Sequence, residues 1–276
     1  MERVVFESVR KVFRHRPALF NWLGRERVGE TVALKDVSFS VAAGEVLVLL
    51  GPNGSGKTTA LKLISTMLLP DAGRVRVAEF DTLQAGGHVR QQVGIAVANE
   101  RSFFPRLSAR ENLEFFATLD EVPPRERSQR ISEVLHDTGL DEQADLLVMK
   151  FSSGMYQRLG IARALVKRPG VLLLDEPTRS LDAATTAHFW TTLRSLAQQS
   201  AVIILATHNF AEAASVGDRL LLLRKGELLA DRSIGGESME ELRSFYFRMT
   251  GEVDEAALLK HALADRNEVQ RTGRTP

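Results

Sequence analysis

Short apolar runs alternate with stretches of helically spaced apolar residues along most of this 276-residue chain. Val4-Val5-Phe6 reads as a first strand, and Val37, Phe39 and Val41 alternate within 36–41 as a half-buried one. The apolar run at 45–50 fits a buried strand, whereas Leu61, Ile64, Met67 and Leu68 give 60–68 a helical stripe. Pro70-Asp71-Ala72-Gly73 is turn chemistry, with strands expected over 74–78 and 91–98. Ser108 and Glu111 stand at capping-box spacing ahead of the stripe Leu113, Phe116, Leu119. Pro123-Pro124 breaks that helix, and a second over 125–138, carrying Ile131, Val134 and Leu135, stops at Gly139. A helical insert of roughly 101–150 therefore interrupts the alternation. Beyond it, helices over 155–167 and 183–199 interleave with strands over 171–174 and 201–206. Apolar runs at 220–223 and 228–229 flank Lys225-Gly226 as a hairpin. Helices over 239–249, capped by Ser238 with Glu241, and over 253–263 precede a frayed 265–276. Such alternation predicts an α/β fold with a mostly parallel sheet covered on both faces.

Composition changes this picture little. With 44% hydrophobic and 26% charged residues the chain can bury a sizeable core in one large domain or two small ones. A net charge of +1 supplies no field to recruit nucleic acid. Zero cysteines exclude disulfides and thiolate metal sites and are compatible with a reducing compartment. No apolar run approaches the ~18 residues of a membrane span, and residues 1–10 do not read as a signal peptide. A soluble polypeptide is expected, any membrane role being carried by a partner. The basic and aromatic stretch 14–30, with Phe20, Trp22 and Gly24, is either a solvated loop or a short amphipathic element resting on a partner or membrane.

The chemistry starts at Gly51-Pro52-Asn53-Gly54-Ser55-Gly56-Lys57-Thr58-Thr59, between the strand at 45–50 and the helix after it. Strand, glycine-rich turn and helix is the setting in which G-x-x-x-x-G-K-[ST] acts as a phosphate loop. Its glycines let successive N–H groups face one anion, and the helix start adds unpaired donors and a positive dipole end. Lys57 is expected to reach the β- and γ-phosphates, Thr58 to hold Mg²⁺ and Thr59 to donate to the α-phosphate. Four apolar residues then deliver Asp175-Glu176-Pro177, two carboxylates beside the loop provided that the two strands are neighbours. Asp175 would orient Mg²⁺ and Glu176 would polarise the attacking water. His208, after another buried strand, is either a structural histidine or a group that bonds the γ-phosphate. In Phe151-Ser152-Ser153-Gly154-Met155-Tyr156-Gln157-Arg158, serine and glycine open a helix and make a second anion-binding surface. The first loop already surrounds the triphosphate. Two chains facing head to tail, each helix start completing the other's site, resolve that redundancy.

In this order the motifs resemble the ATP-binding subunit of an ABC transporter, over about 4–250. The likeness runs through the phosphate loop at 51–59, a signature at 151–155, the magnesium strand at 171–176, Ser180-Leu181-Asp182 as the D-loop, and His208 as the switch histidine. It implies a P-loop NTPase: a RecA-like, mostly parallel sheet core, an N-terminal antiparallel β subdomain and an α-helical subdomain at roughly 101–168. The ATP-binding domain would occupy 1–250, with a C-terminal helix and tail at 251–276. Two Mg-ATP would be clamped by two copies, or by this chain and a paralogue. Hydrolysis would drive an integral-membrane permease at the cytoplasmic face of the plasma membrane. The resemblance also assigns γ-phosphate contact to Ser152, Ser153 and Gly154, coupling of the two sites to Asp182, and adenine stacking to Phe13.

Two departures stand out. Ser153 and Met155 replace the first glycine and the glutamine of the usual Leu-Ser-Gly-Gly-Gln signature. At the Q-loop glutamine position, a magnesium contact, stands Asn99, with about 1.3 Å less reach; Glu100 is the alternative. The string 99–103, the altered signature and the early insertion resemble exporter subunits for lipids, polysaccharides or drugs. Phe103, Phe104 and Pro105 are either permease contacts or internal packing. A soluble ABC ATPase acting on nucleic acid or ribosomes is the rival reading, but two cassettes, long coiled coils or zinc modules are not seen. An importer subunit is disfavoured by the short tail.

Overall fold

This computed structural model describes residues 2–15, 29–97 and 102–254. The chain opens with two long strands, β1 (Glu2–His15) and β2 (Gly29–Ala42), followed by β3 (Val46–Leu50) and α1 (Lys57–Ile64). Next come β4 (Ala72–Val77), β5 (Phe80–Asp81), α2 (Gly86–Gln92) and β6 (Val93–Ala96). The helical insert contributes α3 (Ala109–Leu119) and α4 (Pro124–Asp137), then α5 (Ser153–Leu165) returns to β7 (Val171–Asp175). Helix α6 (Ala183–Gln198), β8 (Val202–Thr207), α7 (Phe210–Val216), β9 (Arg219–Arg224), β10 (Glu227–Ser233) and α8 (Met239–Thr250) complete it.

Two sheets result. One is antiparallel, in the order β2-β1-β4-β5; the other has six strands in the order β10-β9-β3-β8-β7-β6. All neighbours in the second sheet are parallel except β10 on β9. The period of two in its central strands divides the core. Val46, Val48 and Leu50 of β3 join one apolar cluster with α3 to α8, whereas Leu47 and Leu49 join the other with α1, β1 and β2. The same split separates Leu172 and Leu174 from Val171 and Leu173 in β7. Both faces of the parallel sheet are thus covered, and its C-terminal strand ends are left for ligands.

The structure corrects several local expectations. β1 and β2 are each 14 residues long, and register shifts between Phe6 and Val12 break the alternation that would have revealed them. Arg14 and Glu30 pair in this hairpin, so the ends of the stretch 14–30 are strand; residues 16–28 lie outside those described. Helix α1 stops at Ile64 because Thr66 takes a left-handed φ of 61°, which leaves Met67 58% exposed. Leu119 is 62% exposed: two steps of three residues turn about 120° short of two full helical turns, which rotates it off the face of Leu113. Gln91 and Gln92 end α2, so of the strand expected over 91–98 the described residues form only 93–96, and residue 98 lies outside them. Both capping boxes form, at Ser108–Glu111 and Ser238–Glu241. Of the helix expected over 253–263, residues 253 and 254 are non-helical, and the remainder lies outside the described residues.

Candidate active site

The phosphate loop leaves β3, whose five side chains are wholly buried. At Gly51 a Cβ would lie 2.2 Å from the carbonyl oxygen of Leu223, so any side chain would push the loop off β9. The Lys57 ammonium donates to the carbonyls of Gly51 at 2.6 Å and Pro52 at 3.2 Å. Burial lowers its pKa from the usual lysine value, an effect opposed by the carboxylates of Glu176 and Asp175.

Strands β3 and β7 are not neighbours, because β8 lies between them. The loop and the carboxylates meet nonetheless: α1 packs across β8 and β7, and the Thr58 hydroxyl donates to Asp175 Oδ2 at 2.8 Å. Burial raises the Asp175 pKa, with the Thr58 hydrogen bond lowering it and the Glu176 charge adding to the rise. Glu176 holds a left-handed φ of 51°, which for a non-glycine residue costs about 1–3 kcal/mol and persists only where its surroundings impose it. Its N–H donates to the Ala206 carbonyl at 2.9 Å, and its Oε1 lies 2.7 Å from Nδ1 of His208.

A cavity of about 340 Å³ is bounded by Phe13, residues 31–33, the loop at 53–59, Asp175 and Glu176, while His208 stands behind Glu176 and does not border it. A larger groove of about 800 Å³, at the N-terminal ends of β7 and β8, contains none of them. The smaller cavity is where the chemistry converges. Ser55 Oγ is buried there without a partner, and with Lys57 and the loop N–H groups it suits a polyphosphate. The Thr58 hydroxyl and Asp175 carboxylate are hard oxygen donors fitting Mg²⁺, which takes one or two protein ligands beside phosphate oxygens. Among the described residues no three His, Cys, Asp or Glu cluster to hold a metal by themselves.

The other expected residues are divided. Phe13 borders the cavity, with the Lys11 ammonium 5.8 Å from its ring centroid. Ser152, Ser153, Gly154 and Asp182 do not border it. Ser152 instead caps α5, accepting the Met155 N–H at 3.2 Å, and a Cβ on Gly154 would sit 2.6 Å from the Ser180 carbonyl oxygen. Asp182 caps α6, and its bonds from the Thr185 N–H and hydroxyl hold its carboxyl below the usual range. Asn99 and Glu100 lie outside the described residues. Phe103 is 4% exposed and packs edge-on against Phe116 and Tyr156, so it belongs to the core; Phe104 is 43% exposed and stacks edge-on with Phe115.

Residues 31–33 also border the cavity; the alternation of Val37, Phe39 and Val41 marks the strand only from 36, whereas β2 begins at Gly29. Glu212 was also missed. It is 4% exposed, with Oε2 unpartnered, and burial pushes its pKa up to about 7. The Thr207 and Thr178 hydrogen bonds and His208 oppose the rise, whereas the Glu176 charge adds to it. The folded chain keeps this proton between pH 4.5 and 7, where the unfolded chain has lost it, so stability falls as pH rises through that window. Glu212→Gln removes the penalty. Its gain over the unchanged chain in thermal or urea unfolding should be absent near pH 4.5 and reach about 3 kcal/mol above pH 7; an equal difference at both pH values would show that the carboxyl does not titrate there.

The family model described as "ABC transporter" matches residues 34–179. The ABC transporter ATP-binding protein NatA of Bacillus subtilis is 34% identical over 197 residues, 71% of this chain and 80% of that protein. The Nod factor export ATP-binding protein I of Burkholderia orbicola is 37% identical over 206 residues, covering 75% and 67%. The daunorubicin resistance ATP-binding protein DrrA3 of Streptomyces coeruleorubidus is 35% identical, covering 75% and 65%. Among solved structures, a dimeric ATP-binding cassette in a post-hydrolysis state with ADP and Pi aligns with a TM-score of 0.72 at 27% identity, over 85% of this chain and all of that one. With the P-loop NTPase fold already in place, these likenesses establish that the chain belongs to the ABC transporter family, as an ATP-binding and ATP-hydrolysing subunit.

Proposed function

We propose that two copies of this chain close head to tail around two ATP molecules and that their closure and hydrolysis drive export through a separate membrane permease. The observation that carries this is the division of the site. The loop at 53–59, Asp175 and Glu176 converge on one cavity, with His208 reaching it through Glu176, whereas Ser152, Ser153 and Gly154 stand outside it on an exposed helix start. That helix start is free to meet a second chain's phosphates.

In this reading Lys57 binds the β- and γ-phosphates, the N–H groups of 53–56 and the Thr59 hydroxyl hold the remaining charge, and Phe13 stacks on the base. Thr58 and Asp175, with Asn99 or Glu100, hold Mg²⁺, which neutralises charge on the phosphate oxygens. Glu176 takes the proton of the attacking water while His208, 2.7 Å away, orients the carboxylate and meets the γ-phosphate. Asp182 helps to couple the two sites. The names of the daunorubicin and Nod factor relatives favour export, and the exposed pair Phe104 and Phe115, with Met149 64% exposed nearby, suits a permease contact. No helix among the described residues is long and apolar enough to cross a membrane, so attachment at the cytoplasmic face would run through that contact.

The test is sedimentation of the Glu176→Gln chain, which should pass from monomer to dimer on adding Mg-ATP, with one nucleotide per chain. A monomer at saturating ATP would contradict the proposal.

A further inference from the structure

Gln157 lies in the second turn of α5 and faces the segment that follows β7. Its Nε2 donates to the carbonyl of Glu176 at 2.8 Å and to that of Pro177, while its Oε1 accepts the Ser180 N–H at 3.2 Å. One side-chain amide thereby satisfies three backbone groups within five residues. Since the Glu176 N–H is tied to Ala206 of β8, the left-handed backbone at Glu176 is held from both sides, by β8 and by α5. Gly154 brings the start of α5 against Ser180 itself, where any Cβ would collide with the carbonyl. Around that amide a cavity of about 240 Å³, bordered by Ser153, Gln157, Gly160, Asp175, Pro177 and Ser180, leaves room between α5 and the segment. A shift of α5 would therefore reach Glu176 mainly through the amide of Gln157.

We propose that Gln157 is a positioning residue through which α5, on docking against the partner copy's nucleotide, sets the backbone of this chain's own Glu176, so that each site senses whether the other is filled. This rests on the head-to-tail arrangement above. The docking tip of α5, residues 152–154, stands three to five residues from Gln157, about 5–8 Å along the helix axis, so the helix transmits displacement as a rigid lever. Strain at Glu176 makes its carboxylate sensitive to that displacement: a left-handed residue released from one of its two anchors has lower-energy conformations within reach.

The test uses Gln157→Ala and the isosteric Gln157→Glu, which turns the donor toward the Glu176 and Pro177 carbonyls into an acceptor. ATP affinity is measured by equilibrium titration, dimerisation by sedimentation in the Glu176→Gln background, and turnover as a function of ATP in the otherwise unchanged chain. Both variants should bind ATP and dimerise normally, lose at least about tenfold in kcat, and give a Hill coefficient near one where the unchanged chain is cooperative. Unchanged kcat and cooperativity in both variants would overturn the proposal. So would a loss in Gln157→Ala that Gln157→Glu restores, since an isostere rescues packing and not donation. Failure of Glu176→Gln alone to dimerise would overturn the head-to-tail arrangement first, and that control separates the two.

Discussion

Glu176→Gln should lower steady-state ATP turnover by about 10²–10⁴-fold, the range that a positioned general base contributes, while leaving ATP affinity nearly unchanged. In barrier terms this is roughly 3–5 kcal/mol. The amide has the shape of the carboxylate, keeps an oxygen facing Nδ1 of His208, and leaves the left-handed backbone at 176 undisturbed. What it lacks is the capacity to take a proton from water. Binding is spared because the contacts expected to hold the triphosphate come from the loop at 51–59 and not from β7. Phosphate release in single-turnover and steady-state experiments, beside an equilibrium titration, separates the two effects. Turnover within a few-fold of the unchanged chain would remove Glu176 from the chemical step.

Lys57→Ala should abolish binding where Glu176→Gln spares it. Lys57 is 6% exposed and its ammonium bridges the carbonyls of Gly51 and Pro52, so the charge is already desolvated and positioned before nucleotide arrives. A hydrogen bond to a charged group is worth about 1.5–3 kcal/mol, and two phosphate contacts from one ammonium make the expected loss of affinity at least about 100-fold. Alanine also frees the two loop carbonyls and so loosens the cradle. Calorimetric titration with ATP, on a variant shown by thermal unfolding to be folded, checks this. Unchanged affinity would take Lys57 out of the site.

Much of the fold and of the site was legible because its signals are contiguous. The run 46–50, the glycine-rich turn and the helix behind it form one local unit, and the split of β3 between two cores follows from period two alone. What was hidden depends on contacts between distant residues. The β1–β2 hairpin is irregular in register, so its alternation is interrupted where it approaches the cavity, and residues 31–33 went unnoticed with it. That β8 separates β3 from β7 is a fact of sheet order which no single strand encodes. Phe103 and Phe104 are adjacent and similar, yet one fills the core and the other faces solvent; nothing in the pair says which. The tie between Gln157 and the backbone at 176–180 spans 19 to 23 positions and uses carbonyl and N–H groups common to every residue.

The division of the site between two chains can be measured directly, because the sequence contains no cysteine. Asn53→Cys marks the phosphate loop and Ser153→Cys the start of α5; both positions are exposed. Each single-cysteine change is placed in a Glu176→Gln chain, and a short bis-maleimide is added with and without Mg-ATP. Covalent dimers should form in ATP when the two variants are mixed, and in neither variant alone, since each loop faces the other chain's helix. ATP-dependent dimers from either variant by itself, or none from the mixture, would contradict the shared site.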